Sequence, residues 1–196
     1  MQRKVITDID TEPVDIATLR NYIKHTDATE TAEIALITSM GKAARELCET
    51  YTGLTYAEKE IYCYIEIEDL DDRNRVTLPD VPVISIDHVY EIDKEGVEEA
   101  LELNTGYYEE GMDQIELYFP KTVKIGVDVE TELNYRVEYT AGFGDDETEA
   151  LPEVLKIAIL KQVAEWYENR ENWIPVLSSE VRNILDNYVQ TTWLGF

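Results

Sequence analysis

The sequence predicts an α+β protein, a helical bundle of about four helices, two N-terminal and two C-terminal, with an inserted acidic antiparallel β region. Three observations carry that expectation. Apolar residues recur near every 3.6 positions in the first and last thirds of the chain and every second position in the middle. The same middle holds most of the negative charge. The run from Tyr139 to Glu171, YTAGFGDDETEALPEVLKIAILKQVAEWYENRE, passes from strand to helix through Gly142-Phe143-Gly144, an acidic loop and Pro152.

Near the N-terminus, Thr11 and Pro13 have the form of a helix start, since proline is tolerated where its missing N–H is not needed. Ile16, Leu19 and Ile23 then share one face and carry a short helix to about Lys24. Asp27 and Glu30 have the spacing of a capping box for a longer second helix. Along it Ile34, Ile37, Ala44, Leu47, Cys48 and Tyr51 keep the helical period, and Gly53 is the expected stop. Gly41 costs a helix interior about 1 kcal/mol against alanine, so a close helix crossing is expected there.

From Lys59 the period changes to two. Ile61, Cys63, Ile65 and Ile67 alternate with Tyr62, Tyr64, Glu66 and Glu68, the pattern of a half-buried strand. Val83 to Tyr90 forms another strand leading into a hairpin turn at Asp93–Gly96. Ile115–Phe119 and Tyr135–Tyr139 complete a mostly antiparallel sheet. Acids occupy its polar positions and loops, so one sheet face is expected to be an acidic wall.

Pro152 is expected at the first position of the next helix. Leu155, Ile159, Val163 and Trp166 form one stripe, which Val154, Ile157, Ala158, Leu160, Ala164 and Tyr167 widen. Such a helix is expected to be buried on more than one side. Ser178 or Ser179 caps a final helix carrying Val181, Ile184, Leu185, Tyr188 and Val189. Trp193, Leu194 and Phe196 follow it. They either fold back on this chain's own core or anchor in another subunit, where aromatic residues dominate binding energy. The boundaries are 1–58 for the N-terminal helices, 59–140 for the β region, 141–189 for the C-terminal helices and 190–196 for the tail, all within one domain spanning 1–196.

Charge narrows the function classes. The chain holds 17 basic and 42 acidic side chains, a net of −25. Residues 59–151 alone hold 7 and 26, a net of −19. Affinity for DNA comes mostly from cations displacing counterions at phosphates, so this surface repels nucleic acid. It repels anionic membranes as well. Solubility or salt adaptation is one use of such charge; a surface that lets DNA pass without gripping it is another. No apolar run is long enough to cross a membrane, no apolar stretch follows the basic residues of a leader, and a cytosolic product is expected. Cys48 and Cys63 are isolated thiols without metal or redox spacing.

The search for chemistry returns little. Neither His25 nor His88 has a partner at metal-ligand spacing, and no nucleophile elbow is present. With so many acids, a pair of carboxylates carries no information. Asp69–Asn74 faintly echoes a calcium loop but has Asn74 where glycine belongs and Asp80 where the final glutamate belongs. Gly142-Phe143-Gly144 precedes acids, which fits a turn rather than a phosphate loop. No catalytic residue, cofactor or metal site is therefore expected, and the Tyr139–Glu171 run, with Tyr139, Gly142, Gly144, Pro152, Trp166, Tyr167 and Arg170, reads as a structural joint.

The chain resembles the head–tail connector (adaptor) family of long-tailed bacteriophages and prophages. The resemblance lies in VDIATLRNYI, in the second helix ending RELCETYTGLTY, and above all in VEYTAGFG followed by LPEVLKIAILKQVAEWYENRE. It runs over most of the chain and is weakest in the acidic middle, which is longer and more acidic than usual, and in the last dozen residues. It implies a non-enzymatic virion protein of the neck, assembled from the host cytoplasm as a ring, typically dodecameric. Such a ring attaches to the portal protein, extends the DNA channel used in packaging and ejection, and docks a stopper or tail-completion protein. It also implies portal contacts near the C-terminus, for which Tyr188, Trp193, Leu194 and Phe196 are the candidates. A stopper or tail-completion protein of the same virion is the alternative, and an acidic enzyme or ligand-binding module is a further one.

Overall fold

The backbone divides into a unit of strands, Met1–Ile9 with Glu58–Gly142, and a unit of helices, Asp10–Ala57 with Phe143–Phe196. The computed structural model describes residues 1–7, 12–25, 27, 30–93, 95–112, 114–120, 134–144, 150–170 and 174–190. The fold is α+β, with four helices and antiparallel sheets.

In the β unit the strands are β1 (Gln2–Thr7), β2 (Lys59–Ile65), β3 (Arg75–Thr77), β4 (Val83–Ile92), β5 (Glu98–Ala100), β6 (Tyr108–Gly111), β7 (Ile115–Tyr118) and β8 (Asn134–Ala141). They form a five-stranded sheet ordered β1-β2-β8-β4-β5 and a three-stranded sheet ordered β3-β7-β6. Two sheets therefore replace the single one expected. β1 was not anticipated, although the β-branched run Val5-Ile6-Thr7 is a strand signal. Ile67, expected to extend the second strand, instead begins a 3-10 turn, Ile67–Asp69.

Alternation explains the core. Ile61, Cys63 and Ile65 of β2 lie opposite Tyr139, Val137 and Tyr135 of β8, and all six are buried. Val76, Leu78, Leu117 and Phe119 join the same cluster. Phe119 stacks on Tyr135 with ring centroids 4.0 Å apart. Each such aliphatic side chain contributes about 1.5–3 kcal/mol on burial. Asp80 is buried beside them, paired with Arg3 and accepting a 2.7 Å hydrogen bond from the Tyr139 hydroxyl. Burial, then the Asp80 charge, pushes that phenol's pKa well up.

In the helical unit the helices are α1 (Ile16–Tyr22), α2 (Thr31–Thr52), α3 (Glu153–Glu168) and α4 (Ser179–Leu185). α1 begins later than Thr11 and Pro13 imply, because Asp15 is its cap and accepts from the Thr18 N–H at 2.8 Å. The Asp27–Glu30 box does not form either, since Glu30 itself is the residue before α2 and makes no side-chain cap bond. Gly53 ends α2 as expected, at a left-handed φ of 74° that favours glycine. Gly41 marks a close crossing: a Cβ there would sit 2.7 Å from Leu19 Cδ1. Pro152 is one position outside α3 rather than in its first turn, and its carbonyl accepts from the Leu155 N–H at 2.9 Å.

Leu19, Ile37, Met40, Ala44, Cys48, Leu155, Ala158, Ile159, Val163, Trp166, Val181 and Leu185 are all buried, and α2 and α3 pack on each other and on both shorter helices. Ser178 caps α4, and its own N–H donates to the fully buried Gln162 Oε1 at 2.9 Å. α4 stops at Leu185, and Tyr188 falls in the 3-10 turn Asp186–Tyr188.

Candidate functional site

Two surfaces stand out among the described residues. The first is the outward face of the five-stranded sheet. Strand register places Tyr64, Arg136 and Tyr90 in one row and Tyr62, Glu138 and His88 in the next. Arg136 lies over the Tyr62 and Tyr90 rings, 5.0 and 4.3 Å from their centroids. Its Nε and Nη2 donate to the two oxygens of Glu98 at 2.9 and 2.5 Å, and Nη1 pairs with Glu138. The Glu98 hydrogen bonds hold this guanidinium's pKa far up and that of the Glu98 carboxyl down. The nearby Glu138 charge pushes the Tyr62 phenol up.

This face is therefore not the acidic wall expected from sequence. A buried cation and two tyrosines occupy its centre and consume two of the acids, because cation–π contact and ion pairing both strengthen out of water. Other acids lie on the short strands, and there even Glu98 keeps part of its surface open to solvent. Glu98 and Glu99 of β5, and Glu109 and Glu110 of β6, are all exposed.

The segment that echoed a calcium loop uses its carboxylates locally. Asp71 Oδ1 accepts from the N–H groups of Arg73 and Arg75, each at 2.8 Å. Asp69 accepts from the Met1 ammonium at 2.5 Å and from the Glu66 N–H at 2.8 Å. Burial opposes ionisation of both, yet these hydrogen bonds outweigh it and lower their pKa values. No group of three or more potential ligands is arranged to hold a metal among the described residues. Burial pushes the Cys48 thiol up to about 12 and the Cys63 thiol up to about 11, so both behave as small apolar side chains.

The joint residues separate into two sets. Tyr139 and Gly142 belong to the β unit, where the Gly142 N–H donates to the Pro82 carbonyl at 2.8 Å. Gly144, half-buried, together with Pro152, Trp166, Tyr167 and Arg170, belongs to the helical unit. There the end of α3 is tied to the start of α2. Arg170 Nη1 donates to Glu33 Oε1 at 2.5 Å, its guanidinium lies 5.4 Å from the Tyr167 ring centroid, and the Tyr167 hydroxyl lies 3.4 Å from His25 Nδ1. Trp166 is buried beside them. Tyr188 is half-buried, while Trp193, Leu194, Phe196 and Glu171 lie outside the described residues.

The second surface is on α3. Val154 and Ile157 are exposed, so the helix is open on one side instead of being covered on several. Lys161 lies on the same side and reaches Glu180 of α4 at 2.9 Å. Sequence reasoning missed Arg45 altogether. It is buried in the middle of α2, with Glu12 at 2.9 Å and Glu49 at 2.7 Å, and a charge on an apolar stripe is not readable as buried from periodicity alone.

No family model matches the chain, and no curated protein matches it. Solved structures do match over their full length. The chain is similar to one in the neck of an empty gene transfer agent (GTA) particle computed with C6 symmetry, with a TM-score of 0.77. It is similar to one in the virion of a native gene transfer agent particle, with a TM-score of 0.74. A third lies in the neck of a native GTA particle computed with C12 symmetry, with a TM-score of 0.69. Each is 20% identical and is matched over 100% of this chain and 99% of its own. At that identity the likeness establishes a shared fold.

Proposed function

We propose that this chain is a structural head–tail connector (adaptor) in the neck of a tailed-phage-like virion. In this reading it forms a ring, dodecameric by preference, on the portal protein. The ring extends the channel through which duplex DNA is packaged and ejected, and it presents a docking surface for a stopper or tail-completion protein. Its role is structural rather than catalytic. The observation that carries the reading is the match of fold over 100% of the chain to a protein of a particle neck. The C6 and C12 symmetry of the neck structures supports a ring, and the net charge of −25 supports a channel wall that DNA slides past. The two helix pairs, α1 with α2 and α3 with α4, favour an adaptor over a stopper, for which a more wholly β protein is expected.

The test is electron microscopy of particles from cells encoding the chain. Density for it is expected as a ring at the neck, against the portal. Its absence from the particle, or a location away from the neck, overturns the proposal. A second measurement addresses the portal contact. The Gln190 N–H donates to the Thr52 carbonyl at 2.7 Å, so truncation after Gln190 spares that bond. Removing residues 191–196, with Trp193, Leu194 and Phe196, is expected to abolish pull-down of the portal protein without lowering the melting temperature. A lowered melting temperature with undiminished portal capture would reassign the tail to this chain's own core.

A further inference from the structure

The two outer strands of the five-stranded sheet are complementary. β1 carries Arg3, Lys4, Val5 and Ile6, and every residue from Gln2 to Thr7 is exposed. β5 carries Glu98, Glu99 and Ala100, also exposed throughout, and the turn before it adds Glu95 and Val97, the latter 62% exposed. Among the described residues no strand pairs with the outer side of either. An open edge is a row of unpaired N–H and C=O groups that takes up another strand unless something blunts it. Neither edge strand contains a proline.

We propose that β1 of one copy pairs with β5 of the next, so that the sheets of neighbouring copies join edge to edge around a closed ring. This rests on the ring reading above and adds its interface. Three observations select a second copy as the occupant. The first is charge. Copies of net charge −25 repel one another, and contact is favoured where cations of one copy meet acids of the next. β1 supplies the cations and β5 the acids.

The second observation is register. Cross-strand pairing puts Arg3 and Val5 on the same face of the sheet as Ile61 and Cys63, and it puts Glu99 on that face through Glu91, Tyr135 and Ile65. Lys4 lies on the opposite face through Tyr62 and Glu138, and Glu98 lies there through Ile92 and Asn134. Each face of the junction thus carries a cation on one edge and an acid on the other, with Arg3 also paired to Asp80 and Glu98 also paired to Arg136 within the chain. The third is symmetry. Cyclic rings need a heterologous contact, in which two different patches of one subunit meet. Two unlike edges at opposite ends of one sheet meet that need, and the similar neck structures were computed with C6 and C12 symmetry.

β1 and β5 are separated by an even number of antiparallel steps, so they point the same way. A ring axis running along the strands therefore makes the junction parallel, and parallel pairing is slightly the weaker kind. β5 is only three residues long. The edge contact accordingly reinforces a ring gathered on a template and does not drive assembly in free solution.

The experiment uses particles assembled with the Val5→Cys, Glu99→Cys double variant, whose new thiols share one face of the junction. After mild oxidation, a non-reducing gel is expected to show a ladder of covalent oligomers rising past the dimer. Each single variant has one new thiol and stops at the dimer, and the buried Cys48 and Cys63 stay silent. Unmodified particles provide a check that needs no substitution: their density map should place β1 about 4.8 Å from a neighbour's β5, the spacing of paired strands. A neck ring in which those strands lie more than about twice that spacing apart, or in which the double variant yields no ladder, overturns the edge junction and leaves the connector role standing. Particles whose neck lacks the chain overturn both.

Discussion

Arg45 and Arg136 are buried cations, the first held by Glu12 and Glu49 with Glu46 farther off at 3.9 Å and the second by Glu98 and Glu138, and they show how an acidic chain spends its few positive charges. For Arg45, burial opposes the charge, but Glu49 and Glu12 overcome it and raise the pKa. Arg45→Ala would leave those acids facing a half-dry cavity. The expected loss is about 3 kcal/mol, at the lower end for a broken buried pair because Glu12 keeps some contact with water. Calorimetry should show a melting temperature lower by roughly 6–12 °C. Asp15 makes a pH-dependent contribution. Hydrogen bonds from Thr18 lower its pKa in the folded chain, so the cap is present above the ordinary aspartate value of about 3.9 and is lost as pH falls through the depressed one. Asp15→Ala should therefore cost about 1 kcal/mol at pH 7. The gap between urea melts of wild type and variant should be smaller at about pH 3 than at pH 7, because protonation progressively removes the cap. An equal gap at both pH values would show that the carboxylate is not the stabilising group.

At the scale of elements, the α1–α2 crossing follows from a single glycine. Gly41→Ala gains up to about 1 kcal/mol of helix propensity and must only turn aside Leu19 Cδ1, so its stability should stay within about 1 kcal/mol of wild type. Gly41→Val pushes a branched side chain into buried Leu19 and should cost about 2 kcal/mol or more. Equal melting curves for the two variants would mean that the helices do not touch there. Helix positions were legible because burial on one face imposes a 3.6 period, and so were the Gly53 stop and the Ser178 cap, whereas the starts of α1 and α2 were misread. Thr11, Pro13 and Asp27 have the right chemistry for a start, yet the residue that caps α1 is the one whose carboxylate reaches the Thr18 N–H, and local sequence does not fix that choice. In the β unit, alternation located β2, β4, β7 and β8. It could not show that β3, β6 and β7 form a sheet of their own, since pairing is decided between residues distant in sequence.

For the whole molecule, the net charge of −25 yields a direct expectation. The purified chain should not shift duplex DNA on a gel at micromolar concentration and physiological salt, because no surplus of cations exists to release counterions. A clear shift would remove the channel-wall reading. The sequence by itself determined the α+β class, the four helices, the buried stripes and the concentration of acid in the middle, because periodicity and composition are properties of neighbouring residues. Tertiary structure alone decided where that acid went. Strand register brought Arg136 from β8 between Tyr62 of β2 and Tyr90 of β4 and turned an expected acidic wall into a neutralised aromatic centre. It also set the basic residues of β1 and the acidic residues of β5 at opposite edges of one sheet. Those positions depend on which distant strands pair, and pairing is a free-energy balance over the folded chain that no local window of sequence contains.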